Sequence, residues 1–299
     1  MRVFVTGASG FIGSKVVPEL LAAGHQVLGL VRSEEKAKAL VALGAEAHLG
    51  DVEDLDSLRN GAAACDGVIH LAFIHDFANF KEVCEKDAKA IAAMGEVLKG
   101  TGKPFVGTSG TLMVAQPSDT PATENDKSPF GVNQIPRVAS EQTVLSFASQ
   151  GVRATVVRLS PSVHDDGDKG FIPMIINTAR EKGVSAYIGD GLNKWPAVHR
   201  LDAARLYRLA LEKGNAGDVF HGVGDTGIPT KEIAEVIGKK LNLPVVSKSG
   251  DEAAAHFTWM THFFGANDPV SNELTKQRLG WEPTHPGLIE DMETGTYFQ

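Results

Sequence analysis

Short apolar runs and amphipathic segments follow one another in regular order along the first half of the chain. The runs RVFVTG (2–7) and HQVLGLVR (25–32) are typical of buried parallel strands. Between them, FIGSKVVPELLAAG carries apolar residues at helical spacing and ends at Gly24, which favours a helix with a glycine cap. The same order continues, with predicted strands at 45–51, 66–73, 103–110 and 152–160 and predicted helices at 33–44, 52–65, about 79–100 and 138–151.

This alternation predicts an α/β fold with a doubly wound parallel sheet, because neighbouring parallel strands need crossover helices. After the polar loop SPSVHDDGDKG (160–170) the pattern becomes less regular. We expect residues 1–165 plus about 186–225 to form the main domain. We expect about 166–185 plus 226–299 to form a smaller α/β lobe over the mouth of the sheet. Further helices are predicted at 171–183, 200–214 and 229–244, and further strands at 184–191 and 217–224.

The composition narrows the classes of function. A net charge of −8 and a pI near 5.7 argue against a nucleic-acid partner, because no basic stripe is present to neutralise phosphates. Cys65 and Cys84 cannot form a disulfide framework and indicate reduced thiols. No run of 18 or more apolar residues occurs, so we expect a cytoplasmic protein without a membrane span. We expect the protein to bind a small-molecule substrate. Whether it forms a homodimer is an open question at this point.

The segment TGASGFIG (6–13) has the spacing of a phosphate-binding loop between a strand and a helix. Gly7 permits a tight turn, Gly10 lets a pyrophosphate approach the backbone, and Gly13 lets helix and strand pack closely. The helix that follows offers free amides and a positive dipole end to phosphates. The sequence therefore predicts a dinucleotide site at Gly7, Ser9, Gly10, Phe11, Ile12 and Gly13.

Several segments together resemble the extended short-chain dehydrogenase/reductase superfamily. They are TGASGFIG, GDVED (50–54), VIHLAF (68–73), VVRLS and PAVHRLDAARLYRLALE (196–212). The resemblance implies a Rossmann sheet that binds a nicotinamide dinucleotide, with a C-terminal lobe for the substrate. It places Asp51 and Val52 near the adenine. It also places Leu71, Ala72 and Phe73 along the ribose and pyrophosphate of the cofactor.

The end of the second predicted strand bears on the choice of dinucleotide. NAD sites usually carry an acidic residue there, which holds the ribose diol. Here Arg32 and Ser33 stand in its place, and a guanidinium with a hydroxyl can bind a 2′-phosphate. NADP(H) is therefore favoured over NAD. A surface arginine followed by an ordinary N-cap serine is the alternative, and Glu34 and Glu35 nearby argue in its favour.

The segment GVNQIPRVASEQ (131–142) lacks the tyrosine expected of this superfamily. In the resembled enzymes, a serine follows the fifth strand, and a Tyr-x-x-x-Lys pair begins the next helix. Ser109 matches the serine. Alignment on Glu141 puts Asn133 at the tyrosine and Arg137 at the lysine, which resembles an atypical branch with His-x-x-x-Arg. Arg137 can bind a ribose but cannot act as an acid, because its guanidinium stays charged.

Another group must then supply the proton. His75 and His164 both follow predicted strand ends, where ligands bind in open α/β sheets, and Asp165 and Asp166 beside His164 could raise its pKa. Exposed loop histidines without a role are the alternative. No metal site is expected, because the chain has no H-E-x-x-H or C-x-x-C motif.

These observations favour an NADP(H)-dependent oxidoreductase that reduces a small carbonyl compound. A nucleotide-binding sensor that has lost turnover is a second hypothesis, supported by the missing tyrosine. An epimerase or dehydratase acting on a sugar nucleotide is a third. The aromatic segment HFTWMTHFFG (256–265) could line an apolar substrate pocket or a protein contact, but packing within the lobe is the safer interpretation.

Overall fold

A computed structural model describes residues 1–116 and 118–299. Twelve strands are present in the described residues: β1 (Arg2–Thr6), β2 (Gln26–Val31), β3 (Glu46–Leu49), β4 (Gly67–His70), β5 (Pro104–Gly110), β6 (Arg153–Leu159), β7 (Ser162–His164), β8 (Ser185–Ile188), β9 (Lys194–His199), β10 (Val219–Gly222), β11 (Asp225–Pro229) and β12 (Val245–Lys248). Seven of them form one parallel sheet in the order β10-β6-β5-β4-β1-β2-β3. This order confirms the predicted doubly wound parallel sheet.

Helices cover both faces of the sheet. The helices of the described residues are α1 (Gly13–Ala22), α2 (Glu34–Ala42), α3 (Leu55–Ala63), α4 (Phe80–Leu98), α5 (Val138–Ser146), α6 (Phe171–Lys182), α7 (Arg200–Lys213), α8 (Thr230–Leu241), α9 (Gly250–Phe257), α10 (Thr261–Phe264), α11 (Glu273–Leu279) and α12 (Leu288–Thr294). One apolar core lies between the sheet and α1, α2 and α7, and a second lies between the sheet and α3, α4 and α5. The strand order reverses between β1 and β4, and open α/β sheets bind ligands at that point.

The remaining strands form two small sheets. β11, β9 and β7 make one, and β12 pairs with β8 in the other. A third apolar core contains residues of α6, α8, α9 and α12. Strand β8 (Ser185–Ile188) pairs in parallel with β12, so this segment shares a small sheet with the C-terminal part of the chain. The predicted division into a main domain and a lobe stays a prediction.

Neither cysteine is at the surface, since Cys65 and Cys84 are both buried thiols. None of the helices in the described part of the chain is both long and apolar enough to cross a membrane.

Candidate active site

The glycine-rich loop joins β1 to α1 and turns at Gly7, whose φ is +69°. A Cβ atom at Gly7 would lie 2.9 Å from the backbone nitrogen of Ala72, and one at Gly13 would lie 2.1 Å from the carbonyl oxygen of Gly7. The amide of Gly10 donates to the same carbonyl at 2.9 Å. Side chains at these positions would push the loop apart, so the glycines keep its backbone compact and accessible to a ligand.

Helix α1 begins directly after Ile12 without a side-chain cap from the described residues. Ser14 uses its hydroxyl to donate to the carbonyl oxygen of Phe11 at 2.9 Å, and Ser9 is exposed. The helix dipole favours negative charge at this end, although the amide of Ser14 already donates to the carbonyl oxygen of Gly10 at 2.9 Å. The loop and α1 therefore fit the diphosphate of a dinucleotide.

The residues predicted for the adenosine end lie at one edge of the sheet. Arg32 and Ser33 follow β2, and Asp51 and Val52 follow the neighbouring β3. Arg32 is exposed, whereas Ser33 caps α2 by accepting a hydrogen bond from the amide of Lys36 at 3.3 Å. The guanidinium of Arg32 is thus exposed at the edge of the sheet where the adenosine end of the cofactor is predicted to bind.

The segment after β4 lies against the glycine-rich loop. The amide of Leu71 donates to the carbonyl oxygen of Thr6 at 3.3 Å, and the amide of Ala72 donates to the Thr6 hydroxyl at 3.3 Å. The ring of Phe73 then packs under the guanidinium of Arg137, with 4.0 Å between Cζ and the ring centroid. The structure therefore places Leu71, Ala72 and Phe73 between the glycine-rich loop and Arg137.

A buried chain of hydrogen bonds links the carboxyl ends of β1, β4 and β5 to two helices. The hydroxyl of Thr6 lies 2.7 Å from Nδ1 of His70, whose Nε2 lies 3.1 Å from Oδ1 of Asp87 on α4. The other oxygen of Asp87 accepts a hydrogen bond from Nη1 of Arg137, which directly precedes α5. Nη2 of Arg137 donates to the carbonyl oxygen of Thr108 at 3.0 Å. Arg137 is thereby fixed beside the end of β5.

Most of the guanidinium of Arg137 is already bound by protein. Its side chain is 11% exposed, and its N–H groups donate to Asp87, Ser140 and Thr108. Burial would raise the pKa of Asp87, but the charge of Arg137 and a hydrogen bond from His70 outweigh burial and lower it to about 2. Since a guanidinium has five N–H donors, Arg137 keeps two for a ligand.

The hydroxyl of Ser109 is buried near the carboxyl end of β5. Ser109 is 5% exposed, and its Oγ has no hydrogen-bond partner among the described residues. Leaving a buried hydroxyl unpaired costs about 1–3 kcal/mol, so such a group at this edge of the sheet is a candidate ligand contact. The adjacent Thr108 faces the other side of the sheet, where its Oγ1 lies 2.8 Å from the hydroxyl of Tyr207. Tyr207 has no exposed surface, and burial raises its pKa, so this phenol does not replace the missing acid.

The two candidate proton donors lie in different environments. His75 is exposed on one side, and on the other its ring lies 5.3 Å from that of Phe73. Partial burial and the charge of Arg137 lower the pKa of His75. The side chain of His164 has no exposed surface, and its Nδ1 lies 2.8 Å from Oδ2 of Asp291. The structure thus brings His75 to the side of Arg137 and holds His164 against α12.

A model of the NAD dependent epimerase/dehydratase family matches residues 3–222, which is more than half of the chain. The protein belongs to this family. An uncharacterized protein of Schizosaccharomyces pombe is 53% identical to it over 100% of both chains. The 4-hydroxy-2-methyl-3-oxo-4-farnesyl-3,4-dihydroquinoline-1-oxide ketoreductase of Stigmatella aurantiaca is 27% identical, over 86% of this chain and 79% of its own.

Solved structures share the fold of this chain. The dTDP-glucose 4,6-dehydratase of Streptomyces venezuelae, solved with NAD bound, has a TM-score of 0.78 at 20% identity, over 98% of this chain and 96% of its own. The family match and this structural likeness confirm the resemblance to the extended short-chain dehydrogenase/reductase superfamily.

In this member of the family, the segment aligned with the catalytic pair is not helical throughout. The amide of Ile135 donates to the carbonyl oxygen of Gly131 at 3.0 Å, and α5 begins only at Val138. Asn133 therefore lies in a turn and is exposed. The two predicted residues differ in environment, since Arg137 belongs to the buried network and Asn133 faces solvent.

Arg200 connects the glycine-rich loop to the loop that follows β7. Its Nη2 donates to Oδ2 of Asp165 at 2.8 Å, and its Cζ lies 4.2 Å from the centroid of the Phe11 ring. Sequence reasoning missed this contact, because Arg200 and Phe11 are 189 positions apart. It also associated Asp165 with His164, whereas the carboxylate hydrogen-bonded to that histidine belongs to Asp291.

A buried carboxyl group beside the end of β5 was also missed. Asp268 has no exposed surface, and it accepts a hydrogen bond from the hydroxyl of Thr111 at 2.6 Å. Its Oδ1 has no partner within residues 1–116 and 118–299. Burial raises the pKa of Asp268 to about 6, although the hydrogen bond from Thr111 opposes this effect. No local pattern marks the residue, which is 157 positions from Thr111.

Proposed function

We propose that the protein is a nicotinamide-dependent reductase that converts a small carbonyl compound to an alcohol. The observation that carries this proposal is the unpaired, buried hydroxyl of Ser109 next to the network that fixes Arg137. Ser109 donates a hydrogen bond to the carbonyl oxygen of the substrate, and this bond strengthens as negative charge develops there. The dinucleotide, when bound, supplies the hydride.

The residues around Arg137 position the reacting groups. Arg137 offers its two remaining N–H donors to the ribose hydroxyls, and the ring of Phe73 packs beneath its guanidinium. His75 is the proposed proton donor, because its ring lies 5.3 Å from that of Phe73, whereas His164 is held by Asp291. The lowered pKa of His75 makes the protonated imidazole a minor species at neutral pH, so proton transfer from it is expected to be faster in mild acid. Asn133 is exposed and could contribute only a hydrogen bond to a bound substrate.

The relatives include both carbonyl reductases and sugar-nucleotide epimerases, so the preference for reduction rests on the residues of this chain. The relative from Stigmatella aurantiaca carries the name of a ketoreductase, and the UDP-glucose 4-epimerase of Streptomyces lividans is 24% identical to this chain. Epimerases and dehydratases of this superfamily depend on the tyrosine, which residues 131–142 lack. A general acid typically contributes about 10²–10⁴-fold, so its loss slows a reductase without removing hydride transfer.

The test of this proposal is turnover. Purified protein is incubated with NADPH or NADH and a panel of aldehydes and ketones, and the absorbance of the reduced nicotinamide is followed. We expect turnover, and we expect Ser109→Ala to lower kcat about 100-fold through loss of one preorganised donor. The control is Ser149→Ala, which removes an exposed hydroxyl far along the chain and is expected to leave kcat unchanged.

Two other results would point elsewhere. Tight nucleotide binding without turnover of any carbonyl compound would favour a sensor. That function is consistent with the exposure of Asn133 and with the three N–H donors of Arg137 that are already bound by protein. Tightly bound NAD⁺ with isomerisation or dehydration of a sugar nucleotide would favour an epimerase or dehydratase.

We further propose that NADPH is preferred, because the exposed Arg32 directly follows β2, where NAD sites usually carry an acidic residue, and charge-assisted bonds to phosphate are strong. Arg32→Glu is expected to reduce the ratio of kcat/KM for NADPH to that for NADH by about 10–100-fold. The control Lys38→Glu makes the same change of charge further along α2. An equal effect of Arg32→Glu on both nucleotides would contradict the preference.

A further inference from the structure

Four aromatic side chains from three separate segments form one surface, which we call the aromatic wall. Phe77 belongs to the loop after β4, Phe171 begins α6, and Trp259 and Phe263 lie in and beside α10. Phe77 and Trp259 stack with their ring centroids 4.5 Å apart and an interplanar angle of 21°. Phe171 and Phe263 are 5.4 Å apart, and Trp259 lies 5.9 Å from Phe263. The wall thus joins the mouth of the sheet to the C-terminal part of the chain.

Ring contacts connect the aromatic wall to the proposed reaction site. The ring of Phe77 lies 6.4 Å from His75, His75 lies 5.3 Å from Phe73, and Phe73 packs under Arg137 at 4.0 Å. A bound molecule whose polar end reached the region of Arg137 would therefore extend along aromatic surface towards Trp259. This continuity distinguishes the wall from an isolated patch.

The environment of Trp259 differs from that of the other two tryptophans. Trp195 and Trp281 are fully buried, whereas Trp259 is 41% exposed. The preceding residue, Thr258, has a φ of +54°, which is a rare conformation for a β-branched side chain. Strained backbone of this kind clusters at ligand-binding sites, where the surrounding structure maintains it.

We propose that the aromatic wall binds the planar, apolar part of the substrate, so that the substrate is an aryl-substituted or conjugated carbonyl compound. This inference rests on the proposed reductase function. The carbonyl oxygen lies at Ser109, and the ring of the substrate packs against Trp259 and Phe263. The four side chains of the wall carry no charge, and aromatic rings prefer offset stacked or edge-to-face partners. A sugar diphosphate would find no charged partner among them.

The test compares two aldehydes that differ in their apolar part, cinnamaldehyde and propanal. Wild-type protein is expected to show the higher kcat/KM with cinnamaldehyde. Trp259→Ala is expected to raise KM for cinnamaldehyde about 10-fold, while kcat/KM for propanal stays within about 2-fold. Trp259→Phe keeps an aromatic face and is expected to retain most of the affinity. Leu192→Ala, which truncates another exposed apolar side chain, is the matched control.

A binding measurement separates this inference from the reductase proposal. Cinnamamide has the same conjugated ring but no aldehyde, and it is titrated against the nucleotide-saturated protein while tryptophan fluorescence is followed. Saturable quenching in the wild type that disappears in Trp259→Phe supports the wall, even if no carbonyl compound is turned over. Equal losses of kcat/KM for both aldehydes in Trp259→Ala, or no quenching by cinnamamide, would show that the wall only packs the two parts of the chain together.

Discussion

Arg137→Leu is expected to lower the free energy of unfolding by about 3–5 kcal/mol, because it leaves the carboxylate of Asp87 buried without its cation. The carboxylate is 4% exposed, and Nε2 of His70 lies 3.1 Å from its Oδ1. Urea unfolding at neutral pH measures the loss. Asp87→Leu combined with Arg137→Leu should recover part of it, because the double variant has no buried charge to leave unpaired.

The pH dependence gives a second readout of the same pair. The pKa of Asp87 in the folded protein is about 2, below its ordinary value of 3.8. The pair therefore stabilises the protein above about pH 4, and this contribution is lost as the pH falls towards 2. The difference in stability between wild type and Arg137→Leu should shrink across that acidic range. A difference below about 1 kcal/mol at neutral pH, or one that does not shrink in acid, would contradict the role assigned to the network.

Gly13→Ala is expected to abolish measurable binding of either nicotinamide nucleotide, a loss of about 1000-fold or more. The added Cβ would lie 2.1 Å from the carbonyl oxygen of Gly7 and 2.9 Å from Cα of Ala8. Both neighbours are backbone atoms, so the loop must move away from α1 and its amides no longer converge on a diphosphate. Titration calorimetry with NADPH and NADH measures the effect.

The matched control for this substitution is Gly131→Ala. It makes the same chemical change in a turn where the nearest atom to the new Cβ is 3.8 Å away. We expect it to bind nucleotide like the wild type. If Gly13→Ala binds as tightly as Gly131→Ala, the glycine-rich loop is not the nucleotide site.

The parts of the fold that the sequence predicts well are those encoded by neighbouring residues. The strand RVFVTG, the glycine spacing and the helix after it are all local patterns, and the parallel sheet follows from the repeated alternation of such units. The small sheets were harder to predict. β7 has three residues, which is too short for a periodic pattern to develop, and β12 (Val245–Lys248) lies in the C-terminal part, where the alternation of strands and helices is less regular.

The buried contacts of the candidate site could not be predicted, because they join distant positions. Arg137 lies 50 positions from Asp87, and Asp291 lies 127 positions from His164. Ser109 shows the opposite case, since the resemblance to the superfamily already singled it out, but its unpaired hydroxyl emerged only from the packing around it. Sequence patterns report which groups are available, and tertiary packing determines which of them remain free for a ligand.

The transfer of deuterium from C4 of a deuterated reduced nicotinamide to the product alcohol tests the central claim most directly. Mass spectrometry of the alcohol detects the label, with the Gly13→Ala variant as the negative control. We predict that wild-type protein places one deuterium on the former carbonyl carbon and that the variant produces no labelled alcohol. Wild-type protein that binds the nucleotide but yields no labelled alcohol from any aldehyde or ketone would contradict the reductase proposal.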